Sequence, residues 1–178
     1  MVRKAKRGKR APRSDLISAI KTLNSTPCCG DTANNIYVFI KNKTPTLESL
    51  KKSFLTTKSL APTKAFVEAI YQFHLGDFTK VHSLLVDDKT HKNNWLWNYL
   101  KAVVFLELRQ TEKAKPLIDN ALALKPDQAE LWHINGVYFD KTHEMPKAVK
   151  NYEKALALDP NRTATLSNYS SVLERTGR

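Results

Sequence analysis

Apolar residues recur three and four positions apart along most of this 178-residue chain, and that interval places them on one face of an α-helix. From residue 62 onward the pattern is regular enough to give helix limits. It predicts helices near 63–75, 78–86, 94–108, 111–124, 129–141, 145–157 and 163–175. The connections between them should mostly be two to six residues long. The chain is therefore predicted to be all-α.

The first sixty residues follow the helical interval less regularly. Ser14 is a suitable N-cap for one helix, and Thr44 followed by proline is a suitable start for another. Between them the run 35–41 (NIYVFIK) is rich in β-branched and aromatic residues, which favours a strand. A strand needs a partner, however, and the sequence contains no second run of this kind. We therefore predict a helix there, with Ile36 and Ile40 on one face.

Residues 129–162 place large and small side chains in alternation at helical spacing. Two successive faces are built in this way, by Trp132, Gly136 and Phe139 and then by Ala148, Tyr152 and Ala155. Because Gly136 and Ala148 add almost no bulk, the two helices can cross closely while the aromatic rings fill the sides. Pro160 ends the second helix, since proline cannot continue one. The segment is predicted to be a helix hairpin.

This hairpin resembles the tetratricopeptide repeat (TPR), a 34-residue unit with the pattern W-x₂-L-G-x₂-Y…A-x₃-F…A…P. The one clear departure is polar Asn135, where the pattern has a leucine. Moving back by one repeat length gives side chains of the expected size class: Ala102, Phe105, Ala114, Ile118, Ala121 and Pro126. The resemblance implies repeats at 95–128 and 129–162, a weaker one at about 62–94, and a single helix after them whose polar face suits a cap. The implied fold is a TPR-type right-handed α-solenoid of helix-turn-helix hairpins with a helical N-terminal extension.

Charged residues are distributed unevenly between the first third of the chain and the rest. Residues 1–60 hold 13 Lys/Arg and 3 Asp/Glu, whereas residues 61–178 hold 16 and 14, within a net charge of +12. We therefore expect a basic disordered arm at 1–13, a helical extension at 14–60, and the TPR array with its capping helix at 61–178. The arm carries Arg3, Lys4, Lys6, Arg7, Lys9, Arg10 and Arg13.

Three interpretations of this arm stay open: a solubilising tail, a nuclear-localisation patch, or a contact to nucleic acid or another anionic surface. The first aromatic residue of the chain is Tyr37, so the arm has no side chain that could stack on bases. Any contact to RNA, DNA or a ribonucleoprotein through residues 1–13 would therefore be made to phosphates.

The sequence contains none of the motifs that would indicate an enzyme. It has no glycine-rich phosphate loop, no H-E-x-x-H and no paired cysteine spacing for a metal, and its five histidines are scattered. The adjacent Cys28 and Cys29 are expected to be reduced thiols, and the Asp87–Asp88 pair is expected in a solvated turn. No apolar run approaches the roughly 20 residues of a membrane span. We expect no catalytic residue, cofactor or metal. We expect a cytoplasmic location, with a nuclear location or a place in a larger assembly as the alternatives.

The TPR resemblance implies an adaptor or scaffold that binds a protein or peptide segment in a concave groove lined by the first helix of each repeat, with a chaperone-like or complex-assembly role. One TPR subset holds a C-terminal carboxylate with Lys, Asn and Arg. The corresponding positions here are Phe66, Ile70, Leu100, Glu130 and Ile134, or, one repeat later, Tyr99, Val103, Ile134, Ala164 and Asn168. Neither set supplies the charged donors that a carboxylate needs.

The resemblance places an apolar stripe in the groove of repeat 95–128, formed by Leu96, Tyr99, Val103 and Leu106. With His133 and Val137 of the next helix, this stripe is the predicted partner-binding groove. The alternative is that residues 14–57 fold back and bury it, because a bare stripe of this size would promote aggregation. Tyr99→Ala should weaken partner binding in the first case and unfold the protein in the second. The oligomeric state stays open.

Overall fold

The computed structural model describes residues 13–26, 30–43, 47–57 and 61–177, and within these ranges the regular structure is entirely α-helical. The helices are α1 Arg13–Ser25, α2 Gly30–Lys43, α3 Leu47–Thr57, α4 Ala61–His74, α5 Phe78–Leu85, α6 Trp95–Glu107, α7 Thr111–Leu124, α8 Ala129–Lys141, α9 Met145–Leu158 and α10 Thr163–Arg175. The predicted all-α class is confirmed. The helix predicted at 35–41 is also confirmed, because it forms the second half of α2.

The helices from α4 onward form three antiparallel hairpins and a final single helix. Helix α4 packs on α5, α6 on α7, and α8 on α9, and each second helix also contacts the first helix of the next hairpin. Helices α4, α6, α8 and α10 therefore form one row, and α5, α7 and α9 form the other. The helix limits agree with the sequence-based predictions to within one or two residues, and Pro116 is accommodated inside α7.

The turn after each helix of the first row repeats the same backbone geometry. Gly76, Arg109, His143 and Gly177 have φ values of 78°, 57°, 62° and 72°. At each of the first three, its own N–H and the N–H of the next residue donate to carbonyl oxygens of the preceding helix, such as Phe73 and Gln72 for Gly76 and Asp77. This left-handed termination satisfies the last carbonyl groups of the helix. The repeat is therefore present in the backbone as well as in the side chains.

The α8–α9 hairpin shows why the repeat pattern requires a small residue at Gly136. A Cβ atom added there would lie 2.5 Å from Cε1 of Tyr152, whose side chain is completely buried.

The polar residue Asn135, which departs from the repeat pattern, is explained by a second polar residue that faces it. Asn135 Nδ2 donates to Asn151 Oδ1 over 2.8 Å, and Asn151 in turn donates to the Lys147 carbonyl oxygen. The buried amides thus bridge the two helices.

One connection differs from the short loops expected. Residues 86–94 link α5 to α6, and the expectation that Asp87 and Asp88 lie in a solvated turn is wrong for Asp88. Its side chain is only 3% exposed, and its Oδ2 lies 2.7 Å from Nδ1 of the completely buried His91. Asp88 Oδ1 also accepts from the backbone N–H of Thr90. The ring of His91 stacks against Phe66 of α4, so this loop is fixed to the core.

Helices α1 to α3 add a layer that is not a further repeat. Helix α1 packs on α2, α3 and α4, while α2 contacts both α4 and α6. In α2, Ala33, Ile36 and Ile40 are completely buried and join the same core cluster as α4 and α6. Since α4 and α6 are consecutive members of the first row, α2 lies against the row itself rather than stacking at its end.

Candidate functional site

In the repeat architecture, the concave face is the surface of the first-row helices that points away from the second row. In α6 it carries the four predicted groove residues Leu96, Tyr99, Val103 and Leu106. Moving forward by one repeat length gives the equivalent positions in α8 as Glu130, His133, Val137 and Asp140, and a second step gives those in α10 as Ala164, Ser167, Ser171 and Glu174. Because successive first-row helices contact one another, these positions form one continuous surface.

The α6 part of this surface is buried. Leu96 and Leu106 are each 1% exposed, and Tyr99 is 7% exposed. Val103 is partly buried and packs against the same core. The predicted stripe is therefore real as a contiguous apolar surface, but it is not an open groove in this conformation. The alternative interpretation, that residues 14–57 cover it, describes the structure better, and α2 is the part of that segment that makes the contact.

An aromatic series joins α2 to the two first-row helices beneath it. The ring of Tyr37 meets the ring of Phe73 of α4 edge-on, with centroids 6.4 Å apart. Phe73 in turn meets Tyr99 of α6 edge-on at 5.8 Å. This geometry is favourable because the positive edge of one ring faces the negative face of another. On the other side of α2, Val38 is 42% exposed. Helix α2 therefore binds with one apolar face and leaves the opposite face to solvent.

The α8 part of the surface is polar and half-exposed. Glu130 Oε1 accepts a hydrogen bond from Nη1 of Arg162, just before α10, over 2.7 Å, and their side chains are 29% and 17% exposed. Asp140 forms an ion pair with Arg175 at the other end of α10. Between these pairs, His133 Nδ1 lies 3.0 Å from Oγ1 of the buried Thr165. The charged pairs hold α10 to α8 across the concave face.

Burial, followed by the nearby positive charge of Arg162, lowers the pKa of His133 to about 4. The imidazole is therefore neutral at neutral pH. Burial also raises the pKa of Tyr37, and the carboxylate of Glu130 raises it further while Arg162 opposes the shift. The two charges that act on the pKa of Tyr37 thus belong to the half-exposed part of the surface.

The six predicted groove residues are therefore separated by environment. Leu96, Tyr99, Val103 and Leu106 belong to the core cluster that α2 joins, while His133 and Val137 lie on the half-exposed part, where Val137 contacts both core clusters. The sequence reasoning missed Tyr37, Glu130 and Arg162. A shift of one repeat length from Leu96 to Glu130 could have identified the second of these, but nothing in the sequence indicated that Tyr37 lies near them.

The other predicted sites lie outside the described residues or at their edge. Arg3, Lys4, Lys6, Arg7, Lys9 and Arg10 precede the described ranges, and Arg13 is the first residue of α1. The two cysteines also lie in a stretch that the structure does not describe. Within the described part of the chain, His, Cys, Asp and Glu side chains form no cluster that could hold a metal. No described helix is both long and apolar enough to cross a membrane.

Comparison with known proteins identifies the fold. No family model matches the chain. A DnaJ homolog subfamily C member 7 homolog from Schizosaccharomyces pombe is 30% identical over 85 residues, which are 48% of this chain and 18% of that protein. A solved structure of MamA (41–end) from Desulfovibrio magneticus RS-1 is 20% identical, with a TM-score of 0.60 over 83% of this chain and 85% of the other.

A second solved structure, the first TPR of Spaghetti (RPAP3) bound to the HSP90 peptide SRMEEVD, is 16% identical with a TM-score of 0.55, over 62% of this chain and 89% of the other. The chain spans less than a fifth of the curated relatives that it matches. The likeness to solved structures confirms the predicted fold, a TPR-type right-handed α-solenoid.

Proposed function

We propose that this chain is a non-enzymatic adaptor that binds a segment of another protein along the concave face of α4, α6, α8 and α10. The observation that carries the proposal is that this face already buries a helix. It holds the side chains of Ile36 and Ile40 completely out of water. A surface that buries an amphipathic helix of its own chain has the shape and the apolar character to accept a partner segment.

The half-exposed part over α8 and α10 supports the proposal because it offers a place where binding can begin. Serines 167 and 171 of α10 are exposed, and Arg162, which is paired with Glu130, directly precedes the same helix. A partner segment could contact this part without any rearrangement and then extend toward α6. Polar contacts of this kind fix register and orientation, while buried apolar contacts supply most of the binding energy.

The partner should not be a C-terminal carboxylate of the HSP90 type. The Spaghetti (RPAP3) structure contains the peptide SRMEEVD, and a carboxylate requires charged donors. Of the positions that would supply such donors here, Phe66, Ile70, Leu100 and Ile134 are apolar and at most 6% exposed. We therefore expect no saturable binding of SRMEEVD at micromolar concentrations. Any chaperone-related role would have to use another recognition element.

The proposal is tested by selecting peptides from a random displayed library against the full chain and mapping where they bind. Ser167→Trp would place a large side chain on the concave face, at the repeat position of Tyr99 and His133. Ser83→Trp, on the exposed surface of the second-row helix α5, is the matched control. We expect Ser167→Trp to weaken the selected peptides by about tenfold or more and Ser83→Trp to leave them unchanged. Equal effects of the two substitutions, or no selectable binder, would contradict the proposal.

A second candidate function rests on the positive charge of residues 1–60, which contain 13 Lys/Arg and only 3 Asp/Glu. In this candidate function, residues 1–13 bind RNA, DNA or a ribonucleoprotein while the repeats bind a protein. Binding of a random-sequence RNA should then fall steeply with salt, because each neutralised phosphate releases counterions. It should also disappear when residues 1–13 are deleted. Absence of RNA binding at physiological salt would exclude this candidate.

A further inference from the structure

Helix α2 makes the type of contact expected of a bound ligand. It lies across two consecutive first-row helices, α4 and α6, and presents Ile36 and Ile40 from one face, four residues apart. Tyr37, next to Ile36, adds the edge-on contact to Phe73. These are the spacings by which an amphipathic helix docks in an apolar groove. The three hairpins, by contrast, contact one another directly and without using α2.

The sequence of α2 is poorly suited to a helix that has to form by itself. Asn34 and Asn35 occupy its second turn, and Ile36, Val38 and Ile40 are β-branched. All five have low helix propensity, and the same run favours a strand by composition. A short helix with this composition gains its stability from the surface on which it packs. Helix α2 packs on α1 as well as on α4 and α6, so its helical form depends on these neighbours, and the concave face supplies the contacts of Ile36 and Ile40.

We propose that the concave face of α4 and α6 is a helix-binding site, that α2 is its resident ligand, and that the external partner is an amphipathic helix with the same Ile-Tyr-x-x-Ile spacing that takes the place of α2. This inference rests on the proposed function and specifies both its partner and its regulation. A partner helix longer than α2 could continue from α6 onto the neighbouring first-row helix α8 and meet the paired charges of Glu130 and Arg162.

The proposal has a quantitative consequence. A tethered α2 competes at a high effective concentration, which is on the order of millimolar for short connections. The apparent Kd of an external helix equals its intrinsic Kd divided by the fraction of molecules in which the site is open. Weakening α2 within the chain should therefore strengthen the binding of an external helix. A structural layer that never leaves would show no such relation.

The probe is a fluorescein-labelled peptide of residues 30–43 (GDTANNIYVFIKNK), capped at both ends and titrated by polarisation into full-length protein. The test variant is the double substitution Ile36→Ala and Ile40→Ala in the full chain. The matched control is Val38→Ala, which shortens a β-branched side chain of the same helix. Val38 is 42% exposed and lies on the side of α2 that faces solvent. A probe with Ile36 and Ile40 replaced by serine controls for non-specific uptake.

We expect the double variant to bind the probe at least about tenfold more tightly than the unaltered chain and the Val38→Ala control. A double variant that keeps its helical circular dichroism and cooperative melting, yet binds the probe no better than the unaltered chain, would overturn the proposal. A folded double variant that forms a dimer by light scattering and excludes the probe would overturn it as well, because the occupant would then be a second copy.

Hydrogen exchange of the unaltered chain decides the question if the double variant fails to fold. Release of α2 without global unfolding requires its amides to exchange through a lower-energy opening than those of α6 and α8. Protection of α2 equal to that of α6 would overturn the proposal. This failure would differ from a failure of the proposed function, since peptides sensitive to Ser167→Trp could still bind over α8 and α10.

Discussion

Helices α6 and α8 occupy equivalent places in consecutive repeats but use their concave faces in opposite ways. Leu96, Tyr99 and Leu106 of α6 are at most 7% exposed. Their equivalents in the next repeat are Glu130, His133 and Asp140, which are half-exposed, and both carboxylates are paired with arginines next to or within α10. A repeat position thus fixes where a side chain points. Whether that side chain belongs to the core or to a surface depends on what lies over it.

The composition of α6 and of α8 agrees with how far each helix is covered by other parts of the protein. Helix α6 is apolar on nearly all sides, as expected of a helix that is covered on nearly all sides. Helix α8 buries Leu131 and Ile134 in the core shared with the preceding helices and carries Glu130 and Asp140 on the concave side. A bare α6 would expose a stripe that favours aggregation, so α2 provides a stabilising cover. A partner that removed α2 would have to offer an equivalent apolar surface.

The largest expected effect comes from truncating the same repeat position in the two helices. Tyr99→Ala should lower the free energy of unfolding by about 3–5 kcal/mol, because it leaves a cavity between α2, α4 and α6. His133→Ala should cost about 1 kcal/mol, mainly through the lost contact with Thr165. Urea denaturation followed by circular dichroism measures both values.

Tyr99→Phe is the control for the first of these, since it keeps the ring against Phe73 and removes only the hydroxyl. It should retain most of the stability of the unaltered chain. If Tyr99→Ala and His133→Ala had similar costs, the two halves of the concave face would not differ in packing, and the comparison between α6 and α8 would fail.

A smaller effect is expected on the other side of α8, where it meets α9. Gly136→Ala would place a Cβ atom 2.5 Å from the ring of Tyr152. Overpacking of this kind costs about 1–3 kcal/mol, which should exceed the roughly 1 kcal/mol by which alanine favours a helix over glycine. The melting temperature should therefore fall. In a Tyr152→Leu background the ring is absent, and the same substitution should become neutral or stabilising.

The pH dependence of stability should reveal His133 as a partly buried, neutral side chain. In the unfolded chain His133 takes up a proton near pH 6.5. In the folded protein the pKa of His133 is about 4, so it stays neutral at that pH. Unfolding therefore becomes easier as the pH falls from about 6.5 to 4. His133→Gln should remove this part of the slope in melting temperature. An identical slope in that variant would show that His133 is not shielded from water.

Asp88 should act in a separate, more acidic window. Burial opposes its ionisation, but hydrogen bonds with His91 and Thr90 outweigh burial and lower its pKa below 3.8. The stability that it contributes is thus present above pH 3.8 and is lost only as the pH falls through the lower folded value. Melting curves between pH 6.5 and 4 therefore separate the contribution of His133 from that of Asp88.

The smallest effect is expected from the ion pair at the edge of the half-exposed part. Glu130→Gln removes the charge facing Arg162 but keeps a hydrogen-bond acceptor. Partly exposed pairs of this kind contribute about 0.2–1 kcal/mol, so the stability should change by less than for any variant above. A loss of several kcal/mol on urea denaturation would mean that this part of the surface is as buried as the part beneath α2.

The repeat could be predicted from the amino-acid sequence alone. The large and small side chains at Trp132, Gly136, Ala148 and Tyr152 specify which helices cross closely, because helix packing is local and depends on side-chain volume at fixed intervals. The turn at Gly76 could also be read directly. Those at Arg109 and His143 could not, because their residue types do not signal a left-handed backbone, although the period of the repeat places them there.

The identity of the segment that covers the concave face could not be predicted and is seen only in the packing of the helices. An amphipathic pattern shows that α2 has an apolar side and that α6 has an apolar stripe, but burial is non-directional and does not say which surfaces meet. The pairings of Tyr37 with Phe73 and of Arg162 with Glu130 join residues far apart in the sequence, which the packing of α2 on α4 and of α10 on α8 brings together. For that reason the sequence left the covered and open alternatives for Leu96, Tyr99, Val103 and Leu106 undecided, and the position of α2 across α4 and α6 resolved them.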